Sequence, residues 1–284
     1  NGKVRFACEL VRNGYLGEVR RVEVNLPCDE SHHQEARTRQ GRLVPAATPR
    51  ELDYDVWLGH TPQVPYAEHR CHFWWRFHSR YGGGEMTDRG AHVIDLVQLA
   101  LHKDATGPIR FEATGKQLQG GLYDACLDFE FENTYADGTA IVGRSNGTRG
   151  CKFIGTEGSL FIHVHGGELE AEPKSLLSVQ LREKDQPLGR TEDHRINFLD
   201  CVRSRETPFA SAEIGHRTAT ICHLNNLALR LGRAIQWDPV REQIEGDAEA
   251  NGLLLPTMRK PWSHLWRTIN ARKSGDSESR APGT

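Results

Sequence analysis

Apolar positions recur at helical spacing near the start of the chain. Phe6, Leu10 and Val11 fall within residues 3–13, which end at Asn13-Gly14, a pair suited to a helix C-terminus, and Gly17 closes the link that follows. Arg20-Arg21-Val22-Glu23-Val24-Asn25-Leu26 then alternates polar and apolar, which predicts a half-buried strand. From Pro27 to Pro65 periodicity is lost apart from a short amphipathic turn at Leu52–Leu58, so this stretch is expected to be a long excursion carrying function or oligomer contacts. The middle third repeats short alternating runs at 109–114, 126–132, 139–142, 151–154 and 159–163, separated by turn signals such as Ala136-Asp137-Gly138, Gly147 and Thr156-Glu157-Gly158. Connections that short leave no room for crossover helices, so the sheet is expected to be largely antiparallel. Phe129 and Phe131 alternate with Asp128, Glu130 and Glu132, giving it one buried and one polar face. Helical spacing returns over 194–202 and about 212–231, where Gly232 closes the helix, and a short strand at 234–237 follows. The expected class is α/β in the α+β sense: a large, mostly antiparallel open sheet with helices packed on one face.

The stretch with the densest candidate chemistry runs from Gly82 to Ala100. Three glycines precede Thr87 and Asp88, then Ile94, Val97 and Leu101 recur at helical spacing, so a loop is expected to feed the N-terminus of a buried helix. Asp88, His92 and Asp95 lie at i, i+4 and i+7, which puts a histidine on one face with a carboxylate to either side. Acids there are also what the helix dipole favours, so a cap and a solvated salt link is the plain alternative. The functional reading is an imidazole held near neutral pH for acid/base work, beside glycines that let a ligand approach the backbone. Just upstream, Arg70-Cys71-His72-Phe73-Trp74-Trp75-Arg76-Phe77-His78 packs aromatics with His and Arg. It reads equally as a core segment with amphipathic tips or as the wall of a pocket for a hydroxyl-rich ligand. His32-His33 lacks a carboxylate or cysteine at ligand spacing and is read as solvated, so no metal site is assigned.

Composition narrows the partners. With 36 basic and 38 acidic residues well mixed in 284, the formal net charge is −2 and there is no basic stripe of the kind nucleic acid demands. No apolar run approaches the roughly 20 residues that cross a bilayer, and the first residues show no apolar signal segment, so no membrane partner and a cytoplasmic location are expected. The first residue is not Met, which suggests that the natural N-terminus lies upstream. The seven cysteines are odd in number, scattered and never in a Cys-x-x-Cys pair, so they are expected to be reduced thiols, mostly buried.

With those residues in view, the chain resembles the glucose-fructose oxidoreductase / inositol dehydrogenase / MocA family (Gfo/Idh/MocA), especially its bacterial subgroup with an extended C-terminal domain. The segments that carry the resemblance are 9–17, 53–59, 82–95, Gly155-Thr156-Glu157-Gly158, Asn197-Phe198-Leu199-Asp200, Glu213-Ile214-Gly215-His216-Arg217 and Trp237-Asp238-Pro239, in order and at fitting spacing. The resemblance implies an NAD- or NADP-dependent dehydrogenase of sugars or polyols. Such a protein has an N-terminal Rossmann domain and a C-terminal α/β domain whose open sheet makes a homo-oligomer. It also implies that Asp88 and His92 match the family's catalytic Asp-x-x-x-His, that Asp95 matches the acid that commonly follows, and that His72 contacts substrate hydroxyls; together with the pocket-wall reading above, this makes His72, Trp74, Arg76 and Asp95 the candidate substrate-binding residues. Trp74 stands where the family often has Asn, and the family's Glu-Lys-Pro is missing. No Gly-x-Gly-x-x-Gly occurs and no parallel βαβ unit precedes residue 20, so NAD or NADP would be bound mainly by a domain absent from this chain. The expected organisation is a linking helix over 1–17, the C-terminal substrate and oligomerisation domain over 18–262, and a disordered tail over 263–284. Two other functions stay in play: a metal-assisted sugar lyase or hydrolase built on His92, Asp88 or Asp95 and His72, and a non-catalytic dimerising or sugar-binding module.

Overall fold

The computed structural model describes residues 2–38, 44–189, 191 and 193–265. The chain enters as helix α1 (Gly2–Arg12), turns at Gly14 and Gly17, which both have positive φ, and continues as strand β1 (Val19–Asn25). The alternating middle third forms β2 (Arg110–Gln117), β3 (Cys126–Thr134), β4 (Ala140–Arg144), β5 (Gly150–Gly155) and β6 (Ser159–His163), as the pattern predicts. They join β7 (Leu169–Glu172), β8 (Ile235–Asp238) and β9 (Gln243–Ile244) in one sheet of order β7-β6-β5-β1-β4-β3-β2-β8-β9. Among the described strands only β1 and β4 pair in parallel, and every other pairing is antiparallel.

Strand alternation decides which face is covered. Val22, Val24, Phe129, Phe131, Ile141, Phe153, Leu160 and Ile162 are all buried on the covered face. Against them pack α1, α5 (Gly90–Ala100) and α7 (Ala212–Leu231). Each fully buried Val, Leu, Ile or Phe contributes about 1.5–3 kcal/mol, so this seam is the main source of stability. The opposite face carries Glu23, Glu130, Glu132 and Lys152 and holds a shallow trough of about 580 Å³ lined by Glu23, Arg144, Lys152, Phe161, His163 and Glu170, among others. Two buried asparagines join the layers: Asn133 on β3 and Asn225 on α7 exchange hydrogen bonds of 2.7 and 3.0 Å.

Several details differ from the sequence expectation. The 27–65 excursion holds α2 (Glu30–Thr38) as well as α3 (Tyr54–Leu58). α2 buries only His33 and Ala36 among polar neighbours, too narrow a stripe to register as a period. His33 is therefore buried rather than solvated, with its pKa pushed down by that burial, and the half-buried His32 ring lies 4.5 Å from Phe73. The edge strand β7 went unseen because it is four residues long and has no fully buried position. The helix expected at 194–202 forms as α6 (His194–Ser204), yet buries none of its side chains and exposes Ile196, Phe198, Leu199 and Val202. Residues 263–265 close a hydrogen-bonded helical turn, and the remainder of the expected tail, 266–284, lies outside the described residues. All seven thiols are unpaired, and five of them are buried. No helix among the described residues is long and apolar enough to cross a membrane.

Candidate active site

The topology brings distant segments to one end of the sheet. β1 ends at Asn25 and its parallel neighbour β4 at Arg144, while antiparallel β3 and β5 begin, and β6 ends, at that same end. The loops 26–29, 118–125, 145–149 and 164–168 therefore gather there, and α5 starts beside them.

The glycine run fixes how α5 is approached. A Cβ on Gly82 would lie 2.7 Å from the Arg76 carbonyl oxygen, and one on Gly83 would lie 2.5 Å from Asn226 Nδ2. Gly84, at φ +63°, rests against Ala125. The space beside these glycines is filled by the chain itself, not left for a ligand as the sequence suggested. Gly84 N–H donates to Arg76 O at 2.8 Å and Asn226 Nδ2 donates to Gly83 O at 2.9 Å. The glycines thus clamp the aromatic segment and α7 onto the start of α4 (Glu85–Asp88) and α5, two short helices joined at Arg89.

The predicted site residues do not all meet. His92 is exposed in the first turn of α5, and its ring centroid lies 5.8 Å from that of His165 on the turn between β6 and β7. Asp95, one turn further on, is half-buried and accepts a 3.1 Å hydrogen bond from the buried Thr218 hydroxyl of α7. Its pKa is pushed up by burial, against the Thr218 bond and the nearby His92, which both favour the carboxylate. Asp88 is paired with Arg76 instead: its carboxylate lies 3.6 Å from Arg76 Nε, and among the described residues it makes no hydrogen bond to His92. Arg76 also lies over Phe73 and Trp75, at 4.5 and 5.1 Å. Trp74 is half-buried, stacks on Tyr123 at 6.1 Å and packs against a satellite core that includes Phe77 and Leu127. His72 is exposed, with a left-handed backbone at φ 52°.

Sequence spacing could not reveal the remaining neighbours, because each comes from a different loop. Asp29 lies 3.4 Å from both Arg89 and Arg149, and Arg89 Nε donates to the buried Glu85 at 3.0 Å. Behind the glycine run, buried Arg70 donates from Nη1 to His78 Nε2 at 2.9 Å, and Asp124 lies 3.8 Å from Nδ1. Burial pushes the His78 pKa down, opposed by Asp124 and aided by Arg70 and Arg80, so this imidazole is a neutral brace. Among the described residues no three His, Cys, Asp or Glu side chains group as a metal would require. Nor do they form a dinucleotide cradle, since the glycine run that opens α4 and α5 is closed by Arg76, Asn226 and Ala125.

Solved structures share this fold. An NAD-binding protein from Listeria innocua is 16% identical over 82% of this chain and 59% of its own, with a TM-score of 0.50. The WlbA dehydrogenase from Bordetella pertussis, in complex with NADH and UDP-GlcNAcA, is 14% identical over 84% and 60%, at 0.53. The aldose-aldose oxidoreductase from Caulobacter crescentus, complexed with glycerol, is 15% identical over 82% and 62%, at 0.50. At these identities the likeness shows a common fold, and the chain spans about three fifths of the length of each. No curated protein is matched by sequence. Residues 1–264 match the model for the C-terminal alpha/beta domain of the Gfo/Idh/MocA oxidoreductase family, and the chain belongs to that family.

Proposed function

We propose that this chain is the substrate-binding and oligomerisation part of an NAD- or NADP-dependent oxidoreductase that acts on a sugar, polyol or related hydroxyl compound, with His92 as its acid/base. The observation that carries this reading is the placement of His92. It is exposed at the end of the sheet where the loops converge, while Asp95, fixed by Thr218, stands one turn behind it. In the direction of oxidation His92 accepts the hydroxyl proton, and the Asp95 carboxylate favours the imidazolium that results. Asp88 and Arg76 hold each other and shape the wall beside it. Exposed His72 and the edge of Trp74 offer hydrogen-bonding and apolar contacts to a hydroxyl-rich ligand. A nicotinamide, when bound, supplies the hydride acceptor. This chain's residues do not fit the dinucleotide, so it would be held by a nucleotide-binding domain outside these 284 residues, a reading in keeping with the coverage of the NAD-binding relatives.

The open sheet face is where a second copy would dock, and seven unpaired thiols favour a reducing, cytoplasmic setting. Sedimentation at micromolar concentration should show an oligomer, and a monomer would reject the docking. The function is tested by joining the chain to a nucleotide-binding domain and following nicotinamide absorbance with a panel of polyols and aldoses. Substrate-dependent reduction is expected, and silence across the panel would reject the reading.

A further inference from the structure

The sheet end that carries His92 gathers donors that its own carboxylates do not satisfy. Three of them converge on the single carboxylate of Asp29: Arg89 Nη2 and Arg149 Nη2 at 3.4 Å, and His32 Nδ1 at 3.5 Å. All three lie beyond the roughly 2.7–2.9 Å of a tight charge-assisted bond. Arg89 has a second and closer partner in Glu85. Arg149 does not: among the described residues, apart from Asp29, its Nη2 reaches only the Pro27 carbonyl, at 3.4 Å, and its buried Nε has no acceptor. A guanidinium whose Nη2 makes contacts only as long as 3.4 Å retains donor capacity for a closer acceptor. His165, exposed beside His92, registers the local field. Its pKa is pushed down first by burial and then by Arg149, Arg89 and His92, with Asp29 opposing them least strongly.

We propose that the ligand of this site carries an anionic oxygen group, a carboxylate or a phosphoryl, which seats on the Arg149 guanidinium beside His165. The proposal rests on the reading of His92 as the place where a hydroxyl compound reacts, and it names the class of that compound: a sugar acid or sugar phosphate rather than a neutral polyol. The chemistry fits the fork of Arg149, whose side chain keeps part of its surface exposed, since two oxygens of one anionic group accept from its two Nη nitrogens together. Protonated His165 would donate to the same group, and its ring distance to His92 of 5.8 Å puts the anion next to the reacting hydroxyl.

The test uses the chain as it stands, without cofactor. Ring resonances of His92 and His165 are followed while glucuronate, glucose 6-phosphate or glucose is added to about 20 mM, a range that captures millimolar affinity. One or both anions should shift the two rings and raise the pH at which His165 titrates, and glucose should leave them in place; the stronger anion tells carboxylate from phosphoryl. Arg149→Gln should weaken that response at least tenfold, and Arg149→Lys, which keeps the charge but not the fork, should fall between. Equal shifts with glucose, no shift with either anion, or an undiminished response in a folded Arg149 variant would overturn the proposal. The two readings fail separately. Anion binding without nicotinamide-linked turnover would remove the oxidoreductase reading alone, and turnover on neutral polyols that Arg149→Gln leaves intact would remove this one alone.

Discussion

Asn225→Ala probes the joint that holds α7, and with it Thr218 and Asp95, against the sheet. Asn225 and Asn133 are both fully buried and exchange two hydrogen bonds, at 2.7 and 3.0 Å. Removing one partner leaves the other amide's N–H and C=O facing an apolar interior. At about 1–3 kcal/mol for each unsatisfied group, the change should cost about 2–6 kcal/mol, a large part of the roughly 5–15 kcal/mol that holds a domain folded. Equilibrium urea denaturation should show a lower midpoint at an unchanged slope. Asn133→Ala should cost a similar amount. The double variant should cost less than the two singles together, by about 1–3 kcal/mol, because the penalty in each single comes from stranding a partner the double no longer has. Strict additivity, or a single-variant cost below about 0.5 kcal/mol, would refute the reasoning.

Two further outcomes follow from the site. Burial raises the Asp95 pKa, so the folded state keeps this proton to higher pH than the unfolded chain does. Asp95 therefore makes stability fall as pH climbs from the ordinary carboxylate range through the raised value. Asp95→Asn should remove that slope, so the variant gains on the native protein in melting temperature as pH rises above the ordinary carboxylate range, and a loss there would contradict the burial argument. Calorimetric titration of the chain alone with NAD(H) should show no saturable binding, because the glycine run is closed by Arg76, Asn226 and Ala125, and a micromolar dissociation constant would overturn this.

The fold was legible where burial is regular. Phe129 and Phe131 against Glu130 and Glu132 announce a one-sided strand, and Ile94 and Val97 announce a helix against it, so the antiparallel sheet and its helix layer follow from local pattern. Elements that bury one or two side chains, such as α2 and β7, leave no such trace. In the site, His92 stood out through its spacing from Asp88 and Asp95, but spacing alone could not distribute the partners. Asp88 is taken by Arg76 from the preceding segment, and Asp95 is held by Thr218, 123 residues away. Asp29, Arg149 and His165 sit on three loops that meet only because β1, β4 and β6 end together, and no linear pattern encodes that meeting. The glycines misled for a related reason: a sequence shows the absence of side chains but not what fills the space.

The most direct test of the account is the turnover of His92→Ala in the protein joined to its nucleotide-binding domain, measured together with the thermal midpoint. His92 is exposed, so little packing is lost, and the account predicts a fall in turnover of about 10²–10⁴-fold, the usual contribution of a positioned general base, with the midpoint nearly unchanged. Turnover that survives intact in the folded variant would contradict it.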